Sequence, residues 1–179
     1  MIPLSTRMRP LDLDEFVGQE HFMYPGSLLY NAIKNKTFDS AIFFGPSGTG
    51  KTTLARIVAG EMDSDFVEIN AGVSGTKELK EIIGAAKTKF FGLQKEKTYL
   101  YVDEFHRWNK LQQDSLLKAL EEGVLRFIGS TTQNPYFAIN NAVLSRVRSI
   151  YEFRPLSVGN ILVLLKRTLD DKERGFGSL

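Results

Sequence analysis

The stretch Gly45-Pro46-Ser47-Gly48-Thr49-Gly50-Lys51-Thr52 matches the pattern G-x-x-x-x-G-K-[ST], with Thr53 next in line. Glycines at these places let backbone N–H groups turn inward around phosphate oxygens. A helix beginning near Lys51 aims the positive end of its dipole at the same anion. Lys51 then reaches the β- and γ-phosphates of ATP, and the Thr52 hydroxyl serves Mg2+. A second chemical group is the pair Asp103-Glu104. In an open α/β sheet, ligands bind beyond the carboxyl ends of the strands. There Asp103 holds Mg2+, directly or through water, and Glu104 polarises the water that attacks the γ-phosphate. An Asp alone suits a kinase or a GTP switch equally well, whereas Asp followed by Glu favours hydrolysis by an ATPase.

Other candidates are weaker on their residues alone. Arg126–Thr132 ends in three hydroxyls, of which Thr132 is placed to meet the γ-phosphate or the attacking water. Arg146, in Leu144-Ser145-Arg146, is of the type that stabilises charge on a transferring phosphoryl group, but alone it reads sooner as a surface arginine. His21 and His106 are the chain's two histidines, which argues against a histidine-based metal site. His106 reads as a polar loop contact. Trp108 is either an exposed contact for DNA or a partner, or a buried wedge beside the acid pair. Lys87, Lys89, Lys95 and Lys97 interleave with Phe90 and Phe91. A solvated helix end with Phe90 in the core is the preferred reading there, ahead of a DNA contact.

Positioning these groups requires a particular order of elements. Apolar runs at 41–44, 66–69, 99–102, 124–132 and 150–153 read as strands covered on both faces. Between them, residues 76–90 carry Leu79, Ile82, Ile83, Ala86 and Phe90 at helical spacing. Residues 110–122 carry Leu111, Leu116, Leu117 and Leu120, with Gly123 placed to end that helix. Strand and helix in alternation predict a parallel α/β sheet. Pro155 marks a boundary. Beyond it, Ile161, Leu162, Leu164, Leu165 and Leu169 form an amphipathic helix capped by Ser157.

The 179 residues leave room for one domain with a small appendage, and the 42% hydrophobic and 25% charged content is that of a globular chain. Cysteine is absent, which excludes a disulfide framework, a Cys-ligated zinc and a thiol nucleophile. A formal net charge of +2 is too balanced to name nucleic acid or a membrane as partner. No run approaches the ~18 apolar residues of a spanning helix, and the N-terminus lacks an apolar signal region. The expectation is a soluble, cytoplasmic protein.

Together these residues resemble an AAA+ ATPase of the clamp-loader-like group. More closely they resemble the replication-associated recombination protein family (RarA, also called MgsA, related to the Werner-helicase-interacting protein). The matching stretches are Arg7–Pro10, Leu13–His21, Gly45–Thr53, Val102–Arg107, Asn109–Asp114, Ile128–Phe137 and Leu144–Arg146. They run over nearly the whole chain. Ser47 stands where the family has a proline, Phe105 and Trp108 replace Ile and Phe, and Gln133 replaces an acid. The resemblance implies a P-loop NTPase with a five-stranded parallel sheet flanked by helices, plus the start of a helical lid. Residues 1–155 would be the RecA-like ATP-binding core and 156–179 the beginning of the lid. It implies that the Phe16-Val17-Gly18-Gln19 region, Val17 and Gly18 above all, borders the adenine, that Thr132 is the first sensor, and that Arg146 is the finger acting on ATP in the adjacent subunit. The implied function is a Mg2+- and DNA-dependent ATPase acting at stalled replication forks and associated with the nucleoid. Its partners would be fork, gap or end DNA, further copies of itself, and replication proteins such as single-strand-binding protein. The alternative is a nucleotide-operated DNA- or protein-binding switch, or a clamp-loader-like subunit, with incidental hydrolysis. Because the family continues into further lid helices, the chain reads as an N-terminal piece with weak turnover of its own.

Overall fold

A computed structural model of the chain describes residues 2–92 and 97–177. Met1, Lys95 and the last two residues of the expected lid segment lie outside the described residues. In chain order the elements are α1 (Leu4–Arg7), α2 (Leu28–Lys34), β1 (Ala41–Phe44), α3 (Lys51–Glu61), β2 (Asp65–Asn70), α4 (Thr76–Phe91) and β3 (Thr98–Asp103). A 3-10 turn (Phe105–Arg107) follows, then α5 (Lys110–Glu121), β4 (Leu125–Thr131), α6 (Pro135–Ala138), α7 (Asn141–Leu144), β5 (Ser149–Glu152) and α8 (Val158–Asp170).

The five strands are all parallel, in the order β2-β3-β4-β1-β5. Each expected apolar run is therefore a strand. Alternation along the strands sends side chains to opposite faces. Ile42, Leu100, Val102 and Phe127 pack with Leu79 of α4, Leu116 of α5 and the buried rings of Phe105 and Trp108. Phe43, Tyr99, Tyr101 and Ile128 pack on the other side with Leu29 and Ile33 of α2 and Leu54, Ile57 and Val58 of α3. Buried on both faces, these strands cannot use a polar face to set their register, so helices cover them on either side.

The helix starts are set locally. Gly50 precedes α3 in the left-handed region, at φ 98°. Asn109 caps α5 and Ser157 caps α8, each with a reciprocal bond from the residue three places on, Gln112 and Asn160. Gly123, at φ 68°, follows the end of α5 as expected. Trp108 is the buried wedge and not an exposed contact: it is 2% exposed, and its indole N–H donates to the Ser74 carbonyl at 2.9 Å. At the end of α4, Lys87 pairs with Glu122 at 2.7 Å, Lys89 pairs with Asp65, Phe90 packs against the core and Phe91 is exposed. Among the described residues, no helix is long and apolar enough to cross a membrane.

β4 stands between the strand that feeds the glycine-rich loop, β1, and the strand that ends in Asp103, β3. Gly129 lies at its centre. A Cβ there would come within 2.8 Å of the Phe127 ring and 2.9 Å of Ile42 Cδ1. Gly129→Ala is expected to overpack this layer and cost about 1–3 kcal/mol, read as a lower urea midpoint with unchanged slope.

Candidate functional site

The carboxyl ends of β1 and β3 open into one cleft of about 530 Å³, within the ~300–1,000 Å³ common for small-molecule sites. Ser47, Gly48, Thr49, Gly50, Lys51, Thr52 and Thr53 line one side of it, and Asp103 and Glu104 line another. Val17 lines it as well, together with Phe16, Met8, Arg9 and Pro10 from the N-terminal segment and Leu156, Leu164, Arg167 and Thr168 around α8. Gly18, Gly45 and Pro46, also expected at the site, are not among the lining residues. At Gly45 (φ +141°) a Cβ would lie 2.1 Å from the Phe153 carbonyl oxygen, so the loop leaves β1 by a path that only glycine can follow. At Gly18 (φ +90°) a Cβ would lie 2.4 Å from Leu156 Cδ2. The Val17-Gly18 backbone is thus pressed against the linker into α8.

Lys51 is buried at the first position of α3. Its ammonium donates to the carbonyls of Gly45 (2.8 Å) and Pro46 (2.7 Å). Burial holds its pKa below the ordinary lysine value, against the opposing pull of the Asp103 and Glu104 charges. A cation desolvated at a helix N-terminus, beside a loop with positive φ at Gly45, Gly48 and Gly50, is suited to a polyphosphate. Thr52 Oγ1 lies 2.9 Å from the Tyr101 hydroxyl. Asp103 Oδ1 accepts from Ser130 Oγ and, at 3.4 Å, from the Tyr101 hydroxyl. Oxygen donors of these two kinds fit Mg2+, which takes one or two protein ligands and completes its shell with phosphate and water.

Glu104 sits at φ 55°, ψ 37°, a left-handed conformation that costs a non-glycine residue about 1–3 kcal/mol and gathers at functional sites. Its carboxylate accepts from Arg107 Nε at 3.2 Å and faces His106 Nε2 at 3.5 Å. His106 Nδ1 in turn meets Thr131 Oγ1 at 3.0 Å. His106 is thus the loop contact expected of it, and it ties the end of β4 to Glu104.

Two expected site residues are not brought into the cleft. Thr132 is exposed, one residue past the end of β4, whereas Thr131 is buried. Arg146 is exposed beyond α7, and its guanidinium pairs with Glu121 of α5, Nε to Oε1 at 2.7 Å. Other contributions come from bonds that the sequence does not reveal, among them a clamping role for Gln19 in place of a simple border to the base. Gln19 is buried and uses its whole amide: Nε2 donates to the carbonyls of Thr49 (3.1 Å) and Arg154 (2.8 Å), and Oε1 accepts from Arg154 N–H (2.8 Å). It clamps the glycine-rich loop to the chain leaving β5. Arg167 donates to the Glu15 carbonyl at 2.5 Å and Arg174 pairs with the Glu15 carboxylate at 2.5 Å. These bonds fasten α8 and the turn beyond it to the N-terminal segment. The Arg174 guanidinium holds the Glu15 carboxyl below the usual carboxylate range. Position along the chain carries no signal for such long-range bonds.

Comparison with known proteins agrees with this geometry. The profile of the family described as "Holliday junction DNA helicase RuvB P-loop domain" matches residues 8–141. The chain belongs to that family. Its fold, an all-parallel sheet with flanking helices, is that of the RuvB P-loop AAA+ domain: it superposes on Thermotoga maritima RuvB, described as a Holliday junction branch migration motor. The TM-score is 0.75 and the identity 28%, over 92% of this chain and 54% of that one. Among curated relatives it is similar to replication-associated recombination protein A of Haemophilus influenzae, 45% identical over 98% of this chain and 39% of that protein. It is also similar to ATPase WRNIP1 of Dictyostelium discoideum, 43% identical over 94% of this chain and 19% of that protein. The chain thus spans about two fifths or less of the length of these curated relatives.

Gln19 offers a direct check of how this P-loop domain holds its loop. Gln19→Leu strands the Thr49 carbonyl and both backbone groups of Arg154. The expected outcome is a loss of about 1–3 kcal/mol in chemical denaturation, accompanied by weaker nucleotide binding in a fluorescent-nucleotide titration. Unchanged stability and affinity would remove Gln19 from the site.

Proposed function

We propose that this chain is the ATP-binding and ATP-hydrolysing AAA+ module of a DNA replication and recombination maintenance protein. The observation that carries the reading is the convergence of Lys51, Thr52, Asp103 and Glu104 on one cleft. Residues 1–155 form the nucleotide-binding core, with α8 as the first helix of a lid. On this reading Lys51 and the start of α3 hold the β- and γ-phosphates, and Val17, Gly18 and the N-terminal segment border the base. Thr52 and Asp103 hold Mg2+, which when bound neutralises charge on the phosphate oxygens. Glu104, which lines the same cleft as Lys51, takes a proton from the attacking water as it adds to the γ-phosphorus and the bond to the β–γ bridging oxygen breaks, so that ADP and inorganic phosphate leave. Thr132 is the sensor of the γ-phosphate in this scheme, and reaching it requires the exposed residue to turn inward as ATP binds.

Arg146 belongs to a neighbouring subunit's site. It is outside the lining of its own cleft and exposed, as an arginine serving another copy must be. The names of the relatives and of the RuvB motor speak of replication, recombination and Holliday junctions, which supports DNA as the partner; work at replication forks, in the cytoplasm at the nucleoid and as an oligomer belongs to the same proposal.

Two measurements test the reading. Glu104→Gln is expected to keep ATP affinity and lower turnover by about 10²–10⁴-fold, the usual contribution of a general base; turnover at the native rate would sink the role given to Glu104. Arg146→Ala and Lys51→Ala are each expected to be inactive in the full-length protein, and mixing them is expected to restore activity. An arginine finger is worth ~10³–10⁵ in rate, so restored turnover stands far above background, and its absence would refute action between subunits.

A further inference from the structure

Tyr101 has no part in the reaction as described, yet its hydroxyl stands between the two residues proposed to hold Mg2+. It lies on β3 two residues before Asp103, so the two side chains leave the strand on the same face. The ring is fully buried and stacks on Phe66, with centroids 6.0 Å apart. This fixes the hydroxyl 2.9 Å from Thr52 Oγ1 and 3.4 Å from Asp103 Oδ1. Ser130, also fully buried, donates to the same Oδ1 from β4.

The direction of the bonds follows from proton bookkeeping. Asp103, as a carboxylate, only accepts, whereas a hydroxyl gives one proton and accepts through two lone pairs. Bonds to an ionised acceptor are about twice as strong as neutral ones, so the Ser130 and Tyr101 protons are both drawn toward Asp103. The Tyr101 oxygen is then left to accept, and the Thr52 proton turns to it. With its proton committed in this way, Thr52, which lines the cleft, keeps both lone pairs for a cation. Among the described residues both bonds to the Asp103 carboxylate fall on Oδ1, and none falls on Oδ2.

From this chain of hydroxyls we infer that Tyr101 is a positioning residue that presets Thr52 and Asp103 to receive the Mg2+ accompanying the nucleotide. The inference rests on the proposed function for the identity of that cation. Tyr101 itself touches neither nucleotide nor metal. Without its hydroxyl the Thr52 proton has no fixed acceptor, and each binding event must first orient it.

The test uses the full 179-residue chain and a fluorescent ADP, with Mg2+ titrated against a chelator-treated sample. Tyr101→Phe keeps the ring and the stack on Phe66. The expected result is a Mg2+ midpoint raised about 3–10-fold, the scale of one hydrogen bond, with ADP affinity in chelator and the melting temperature both unchanged. In a Thr52→Ala background the same change is expected to shift the midpoint less than in the native chain, because only the bond to Asp103 is left to lose. An unchanged midpoint in Tyr101→Phe overturns the inference. So does an equal loss of ADP affinity with and without Mg2+, which marks a structural role. If the native chain binds fluorescent ADP identically with and without Mg2+, the proposed metal site fails at its root and the preset falls with it. That result is distinguishable because it appears before any substitution is made.

Discussion

The burial of one ammonium group governs the arrangement around it. Lys51 is taken out of water at the start of α3, where the helix dipole adds further positive potential. An unpaired buried cation is costly, and the structure offsets that cost with groups at hand. Two loop carbonyls accept from the ammonium, and two carboxylates lie across the cleft. None of these is a close ion pair. The site therefore keeps a cation whose charge is only partly answered, at the point where the glycine-rich loop bends around open space. An arriving polyphosphate supplies what the protein withholds.

Keeping that loop in shape requires bonds from far along the chain. Gly45 passes so close to Phe153 that β5 dictates the path of the loop as it leaves β1. Gln19 then ties the loop's Thr49 to Arg154, just beyond β5. The same region meets α8 through the linker at Leu156, and α8 is fastened to the N-terminal segment by Arg167 and Arg174. Loop, strand, linker and helix are thus joined by hydrogen bonds and close packing around one end of the cleft. The α8 bonds end on Glu15 and the loop bonds on Gln19, four residues apart in the same N-terminal segment.

The strands and the principal helices were legible because buried parallel strands read as unbroken apolar runs, and caps such as Asn109 and Ser157 mark where helices begin. The phosphate-side residues were legible for a related reason. Their chemistry is local, concentrated in the contiguous segments Gly45–Thr53 and Asp103-Glu104. What escaped depends on pairs distant in sequence. Gln19 reads only as part of a segment beside the base, and its clamp on the glycine-rich loop is invisible until Arg154 is folded against it. Tyr101 reads as one more apolar strand position, since its ring is what fills the core and only its tip reaches Thr52. A signal existed there in principle: a polar-tipped aromatic two residues before Asp103 must share its face of the strand. Trp108 stayed ambiguous for the opposite reason, because an indole suits a core and a contact surface equally, and only its bond to Ser74 decides between them.

Arg146 shows how magnitudes separate a holding contact from a working one. Its bond to Glu121 joins two exposed side chains of the same chain, and such pairs contribute about 0–1 kcal/mol once solvent screening is counted. Acting on a transferring phosphoryl group, an arginine supplies ~10³-fold or more, which is about 4 kcal/mol or more of barrier. The first interaction is too weak to oppose the second. Glu121, with the Ala142 carbonyl (3.2 Å) and the Ser145 hydroxyl (2.9 Å), holds the guanidinium against its own chain at an exposed site. The contact costs little to break when a neighbouring site presents a phosphate, and on the proposed reading the assembly of subunits, rather than any rearrangement within one chain, decides when that exchange takes place.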